Sequence, residues 1–153
     1  MANVSPKLRT ALNSEETGEL DSIIQERSPS DLDELRQLVS TDPEVDPMHR
    51  RRAIYALGRW RDQASVPQII NILPSLDEKE TITAVDALGR LGTPEATGAA
   101  RSLAEHESPQ VRKFVVKALG RSADPEAQDT LAAIAANDPA DFVRSSAREL
   151  TDQ

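Results

Sequence analysis

Basic side chains recur at a fixed spacing along this chain, and the chemistry that they offer is the binding of anions. Lys113 and Lys117 lie on one side of a predicted helix, and the equivalent positions two repeats earlier hold Arg51 and Tyr55. If such helices are stacked side by side, these residues form a stripe that is basic at both ends and interrupted by Asp86. The predicted partner-binding residues are Arg51, Tyr55, Arg59, Asp86, Arg90, Lys113, Lys117, Arg121 and Arg148.

The charge of the chain is segregated in the same way. The formal net charge is −8, which argues against a nucleic-acid partner. Yet four segments hold 13 of the 18 basic residues and only 6 of the 26 acidic ones. These segments are 47–61, 76–91, 109–121 and 139–151. A basic set of helices beside an acidic remainder favours the binding of an acidic or polar protein segment.

Catalytic chemistry finds little support in the residue types. The chain has no cysteine, and its two histidines, His49 and His106, lie far apart without a nucleophile or a metal-ligand spacing beside them. No glycine-rich phosphate loop is present. We therefore predict no catalytic residue, no metal site and no cofactor.

The elements that position the basic residues are repeats. The tetrapeptide Ala-Leu-Gly-Arg occurs at 56–59, 87–90 and 118–121, in two equal steps. A period of about 31 residues is typical of a solenoid, in which each repeat packs on its neighbours. We expect the alanine and leucine to face the core, the glycine to end the helix and the arginine to border a groove. Trp60 aligns with Leu91 and is predicted to lie in the core.

Prolines mark the expected helix starts. Eight of the ten follow Ser, Thr or Asp, the arrangement of an N-cap followed by proline at the first helical position. Apolar residues then recur at i, i+3, i+4 and i+7. The A helices are predicted near 30–40, 65–73, 94–105 and 125–136. The B helices are predicted near 47–60, 77–91, 109–121 and 139–151, and two less regular helices near 6–13 and 15–27.

The residues Pro109-Gln110-Val111-Arg112, followed by the motif at 118–121 and by Asp124-Pro125-Glu126-Ala127, carry a recognisable pattern. The chain resembles the short HEAT repeats, in the variety related to the bilin-lyase HEAT-like repeats of prokaryotes. This resemblance implies an all-α, right-handed α-α superhelix of about four helix pairs. We expect an N-terminal helical cap over 1–29 and one continuous HEAT-like array over 30–153.

The resemblance also implies roles for the two layers of helices. The B helices look like those that line the concave surface in this family. By similarity, Arg112 and Arg144 pair with Asp groups at neighbouring turns as a structural ladder. At the second B helix Ile82 and Thr83 stand without a Val-Arg step, which predicts a gap in the ladder.

The favoured function is that of a non-enzymatic protein-interaction module or adaptor, whose partner is another protein. We expect the chain itself to be a monomer or a weak oligomer. The resemblance keeps open a bilin-lyase-type chromophore-attachment subunit. The run at 49–52 with Tyr55 and Trp60 keeps open nucleic-acid binding, which ranks last. No apolar run approaches the roughly 18 residues of a membrane span, and we expect a cytoplasmic protein.

Overall fold

The computed structural model describes residues 4–152, and these form ten α-helices without a β-strand. The helices are α1 Pro6–Asn13, α2 Gly18–Glu26, α3 Pro29–Gln37, α4 Pro47–Trp60, α5 Val66–Ile72, α6 Glu78–Leu91, α7 Pro94–Arg101, α8 Pro109–Gly120, α9 Pro125–Asn137 and α10 Asp141–Thr151. Two 3₁₀ turns, Gln63–Ser65 and Leu73–Ser75, flank α5. This confirms the all-α fold of paired helices. None of these helices is both long and apolar enough to cross a bilayer.

Capping explains where most helices begin. At six of the eight Ser-Pro, Thr-Pro and Asp-Pro pairs, the proline is the first helical residue, as predicted. The Ser108 hydroxyl, for example, accepts a hydrogen bond from the Val111 N–H at 3.3 Å. The exceptions are Pro43, in a turn, and Pro139, which precedes α10 by two residues because that helix begins at Asp141.

The helices form two layers. The A helices are α3, α5, α7 and α9, and the B helices are α4, α6, α8 and α10; each B helix packs on the next B helix and on its own A helix. Helices α1 and α2 pack against α4 and share its apolar core through Leu8, Leu12, Leu20 and Ile23. The core is almost wholly aliphatic, with Trp60 buried in it as predicted.

In two of its three copies the glycine of the repeated tetrapeptide does not end its helix, contrary to the expectation above, whereas Gly120 is the last residue of α8. Gly58 and Gly89 lie inside α4 and α6, and the left-handed residues that close these helices are Arg61 and Gly92. A Cβ atom on Gly58 would stand 2.9 Å from the Cα of Ala87, and one on Gly89 would stand 2.8 Å from the Cα of Ala118. The glycine is required because neighbouring B helices touch there, backbone against backbone.

Buried arginine–carboxylate pairs join successive repeats. Arg50 donates to both carboxylate oxygens of Glu80, at 2.8 and 3.2 Å. Arg112 donates in the same bidentate way to Asp138, at 2.8 and 3.1 Å. Thr81 occupies the equivalent position in the repeat between these two arginines, so the second B helix lacks a ladder arginine as predicted, although the position is Thr81 and not Ile82 or Thr83.

A third pair extends this ladder toward the N-terminus. Arg36 of α3 donates to Asp62 at 2.8 and 2.6 Å. Asp62 is buried and lies in the turn after α4, so the pair ties an A helix to the start of the next repeat. Such fork-shaped pairs fix the relative orientation of the repeats as well as their distance.

Candidate functional site

The residues of the predicted stripe lie on the B helices, on the side of each helix opposite to the one that is buried. Ala56 and Leu57 are fully buried in α4, whereas Tyr55 is half-buried and Arg59 is exposed beside them. The same alternation recurs in α6 and α8. We call the surface of the B helices that carries these residues the B face. It comprises Arg51, Tyr55, Arg59, Ile82, Asp86, Arg90, Lys113, Lys117 and Arg121.

Asp86 organises the centre of the B face. Its carboxylate accepts a hydrogen bond from the Nε of Arg90, one turn later in α6, at 3.0 Å. Its second oxygen lies 3.6 Å from Nη1 of Arg121, which follows α8. One carboxylate therefore holds two guanidinium groups from adjacent repeats, and the centre of the stripe keeps a net positive charge.

On either side of this centre, an aromatic ring contacts a cation. The guanidinium carbon of Arg59 lies 5.1 Å from the centroid of the Tyr55 ring, and the ammonium nitrogen of Lys117 lies 4.8 Å from that of Phe114. Such contacts hold a charged group in place without neutralising it. Phe114 was missed by the sequence reasoning, although its position three residues before Lys117 on a helix predicts the contact.

The N-terminal helices cover one end of the stripe. Arg51 and Tyr55 line a groove of about 230 Å³ together with Glu16 and Thr17, which precede α2. The Tyr55 hydroxyl donates to Asp21 of α2 at 3.4 Å. An acidic segment of the chain itself therefore lies against the basic stripe at this end.

Arg148 stands apart from the other predicted residues. Its Nε donates to the carbonyl oxygen of Ala135 in α9, at 3.1 Å, so its side chain turns toward an A helix. The last repeat is one residue longer than those before it, since Val143 and Ala147 are fully buried where α8 buries Val111 and Val115. The predicted step was therefore one residue short here, and a partner-binding role for Arg148 stays a prediction.

Arg144 follows the same register. It is the counterpart of Arg112 in the longer last repeat and donates to the carbonyl oxygen of Asp138, just as Arg112 donates to that of His106, six residues before it. A second contact joins Arg144 to the Asp141 carboxylate. Arg144 therefore holds the position of a ladder arginine, but its carboxylate partner is the exposed Asp141 of its own helix, and it reaches the neighbouring turn only through the Asp138 carbonyl.

A second surface feature lies on the A side and was not predicted. A groove of about 800 Å³ between α7 and α9 is lined by Arg101, Asp129 and Ala133, with the Arg112–Asp138 pair at its base. Burial alone would raise the pKa of Asp138. Hydrogen bonds from Arg112 and from the Ala140 N–H, together with the charges of Arg112 and Arg144, outweigh burial and hold that pKa below its usual value.

The two histidines make separate contacts, one between helices and one within a turn. His49 Nε2 lies 2.6 Å from Oδ1 of Asn13, and His106 Nδ1 accepts a hydrogen bond from the Ser108 N–H at 3.0 Å. Within residues 4–152, no group of three or more His, Asp or Glu side chains is arranged to hold a metal ion.

Comparison with known proteins identifies the family to which this architecture belongs. Residues 66–151 match the family of HEAT repeats, and residues 50–73 match the PBS lyase HEAT-like repeat. The fold is similar to that in the complex of CpcE and CpcF of phycocyanin lyase from Nostoc sp. PCC7120, with a TM-score of 0.70 at 20 % identity. That match covers 99 % of this chain but 66 % of the other, so this chain spans slightly less than two thirds of its length. No curated protein matches this chain significantly.

Proposed function

Because the chain belongs to the HEAT-repeat family, in its PBS-lyase-type variety, we propose that it is a protein-interaction module that binds an acidic or polar segment of another protein. The binding surface is the B face, which we take as the concave side of the superhelix. The binding would need no cofactor, because the partner would be recognised by complementarity of charge and shape along the stacked helices.

The observation that carries this proposal is the set of cations on the B face. Among the residues that the structure describes, Arg59, Lys113 and Lys117 have no carboxylate within 4 Å, and two of them are held over aromatic rings. By contrast, Arg36, Arg50 and Arg112 are bidentate with buried carboxylates. Two populations of basic side chain are therefore present, one structural and one open to a ligand.

The test is a charge reversal with a matched control. The chain has four lysines, of which Lys113 and Lys117 lie on the B face and Lys7 and Lys79 lie elsewhere. Affinity capture from native lysate would compare Lys113→Glu/Lys117→Glu with Lys7→Glu/Lys79→Glu, which changes the net charge equally. We expect the first variant alone to lose its bound protein. Equal retention by both, with both folded by circular dichroism, would remove the B face as the binding surface.

A second candidate function is a subunit of a bilin-lyase-type enzyme. It is favoured by the match of residues 50–73 to the PBS lyase repeat and by the likeness of fold to a complex of two phycocyanin lyase chains. Since fold alone does not define function, the site must be tested directly. Incubation of the purified protein with a bilin, alone and with any captured partner, would show a shifted visible absorbance if this function holds. An unchanged spectrum in both cases would reject it.

A further inference from the structure

Aromatic side chains are concentrated on the exposed side of the B helices rather than in the core. The chain has four aromatic residues, Tyr55, Trp60, Phe114 and Phe142, of which Trp60 alone is buried. Tyr55 and Phe114 are half-buried, and Phe142 of α10 is 40 % exposed. Within residues 4–152, no other large apolar side chain is exposed. Aromatic residues are enriched at protein interfaces and among the residues that contribute most to binding, so this distribution indicates a contact surface.

Phe142 extends the B face onto α10. Because the last repeat is one residue longer, Phe142 occupies the place that Gln110 has in α8. Gln110 precedes Lys113 by three residues and therefore lies on the same side of α8. Ile82 occupies the place of Lys113 in α6, and both Ile82 and Phe114 are half-buried against the core of the last repeats. The B face thus offers an apolar side chain on each of three successive helices: Ile82 on α6, Phe114 on α8 and Phe142 on α10.

At its first helix, the B face already binds a segment of the chain itself. Residues 16–21, which lead into α2, read Glu-Thr-Gly-Glu-Leu-Asp and contain three acidic residues and no basic one. Leu20 is buried, and together with Glu16 it lines the groove against Tyr55. The next residue, Asp21, accepts the hydrogen bond from the Tyr55 hydroxyl. The segment that covers α4 is therefore an apolar residue flanked by carboxylates.

The B face on α8 and α10 combines the same two kinds of contact. Lys113 directly precedes Phe114, and the Lys117 ammonium lies over the Phe114 ring. In the described part of the chain, neither lysine has a carboxylate within 4 Å. Resting on the proposed function, we infer that this surface binds a partner segment in which one large apolar residue is flanked by acidic residues. The apolar residue contacts Phe114 and Phe142, and the acidic residues pair with Lys113 and Lys117.

Three fluorescently labelled peptides of equal length, with the full chain, test this assignment. The first has a central leucine between two pairs of glutamates; the second has serine in place of the leucine; the third has glutamines in place of the glutamates. In fluorescence anisotropy at low salt, we expect the first to bind about tenfold tighter than the second. This factor corresponds to about 1.4 kcal/mol, close to the lower end of the gain from burying a leucine side chain. The preference should persist at about 0.5 M salt, which screens exposed ion pairs but leaves apolar contacts intact.

Matched variants then change the apolar contact alone. Phe142→Ala should remove most of the preference for leucine over serine, whereas Phe142→Leu should retain it. Ile70→Ala should also retain it, since Ile70 is a half-buried apolar residue of the A helix α5. Equal binding of the leucine and serine peptides, a preference unchanged in Phe142→Ala, or no binding by any peptide at millimolar concentration would overturn the inference.

The proposed function is judged separately by the lysate capture. Loss of capture in the Lys113/Lys117 variant, with equal binding of the leucine and serine peptides, would retain an acidic partner and reject only its apolar residue. Equal binding of the glutamate and glutamine peptides that contain leucine would contradict the proposed function and this inference together.

Discussion

Replacing Gly89 by alanine tests the physical role of the repeated tetrapeptide. The new methyl carbon would lie 2.8 Å from both the Cα and the Cβ of Ala118. Carbon atoms in ordinary contact are about 3.5–4.0 Å apart, so α6 and α8 must separate by roughly 0.7 Å at this point. Because one of the opposing atoms belongs to the backbone, no side-chain rotation can relieve the contact.

The change in the free energy of unfolding expected for this substitution follows from two opposing effects. Exchanging glycine for alanine inside a helix stabilises it by about 1 kcal/mol, whereas overpacking of a tight interface costs about 1–3 kcal/mol. With a backbone contact the cost lies in the upper part of that range, and we expect Gly89→Ala to lower the free energy of unfolding by about 1–2 kcal/mol. For a chain of this size, that corresponds to a fall of about 2–8 °C in Tm.

Gly98 provides the matched control. It lies inside α7, and a Cβ atom there would have no heavy atom within 4 Å. Gly98→Ala should therefore raise the free energy of unfolding by about 1 kcal/mol. Urea unfolding followed by circular dichroism would compare the two variants. If Gly89→Ala were stabilising to the same extent as Gly98→Ala, close approach of the B helices would not be the reason for the glycine.

Three further predictions concern the ladder and a helix end. Asp138→Ala should lower the free energy of unfolding by about 3–5 kcal/mol in urea titrations, because it leaves the buried Arg112 unpaired; Asp129→Ala, on the exposed surface nearby, should have little effect. The folded pKa of Asp138 lies below the unfolded value of about 3.9, so its stabilisation is present above that pH and is lost as the pH falls through the folded pKa. The stability difference between wild type and Asp138→Asn should therefore shrink below about pH 4; a difference independent of pH would contradict this. Gly92→Ala should lower Tm, since φ is +65° there and alanine in that conformation costs about 1–2 kcal/mol.

The candidate site was predicted in part. The alternation of buried alanine and leucine with polar neighbours sufficed to place Tyr55, Arg59, Lys113 and Lys117 on the exposed side of their helices, since helical periodicity is a local property. What those side chains contact could not be predicted in this way. The bridge from Asp86 to Arg121 and the contact of Tyr55 with Asp21 join segments more than a full repeat apart, and depend on how the helices are stacked.

The sequence by itself determined the period, the helical content, most of the helix starts and the aliphatic core of this protein. These follow from local rules: a proline after a capping residue starts a helix, and apolar residues at i, i+3 and i+4 share one face. The tertiary structure decided the rest. It showed that Gly58 and Gly89 are sites of helix contact, and that the last repeat is one residue longer. Both depend on the distances between helices. Those distances are set by packing between residues that are far apart in the sequence.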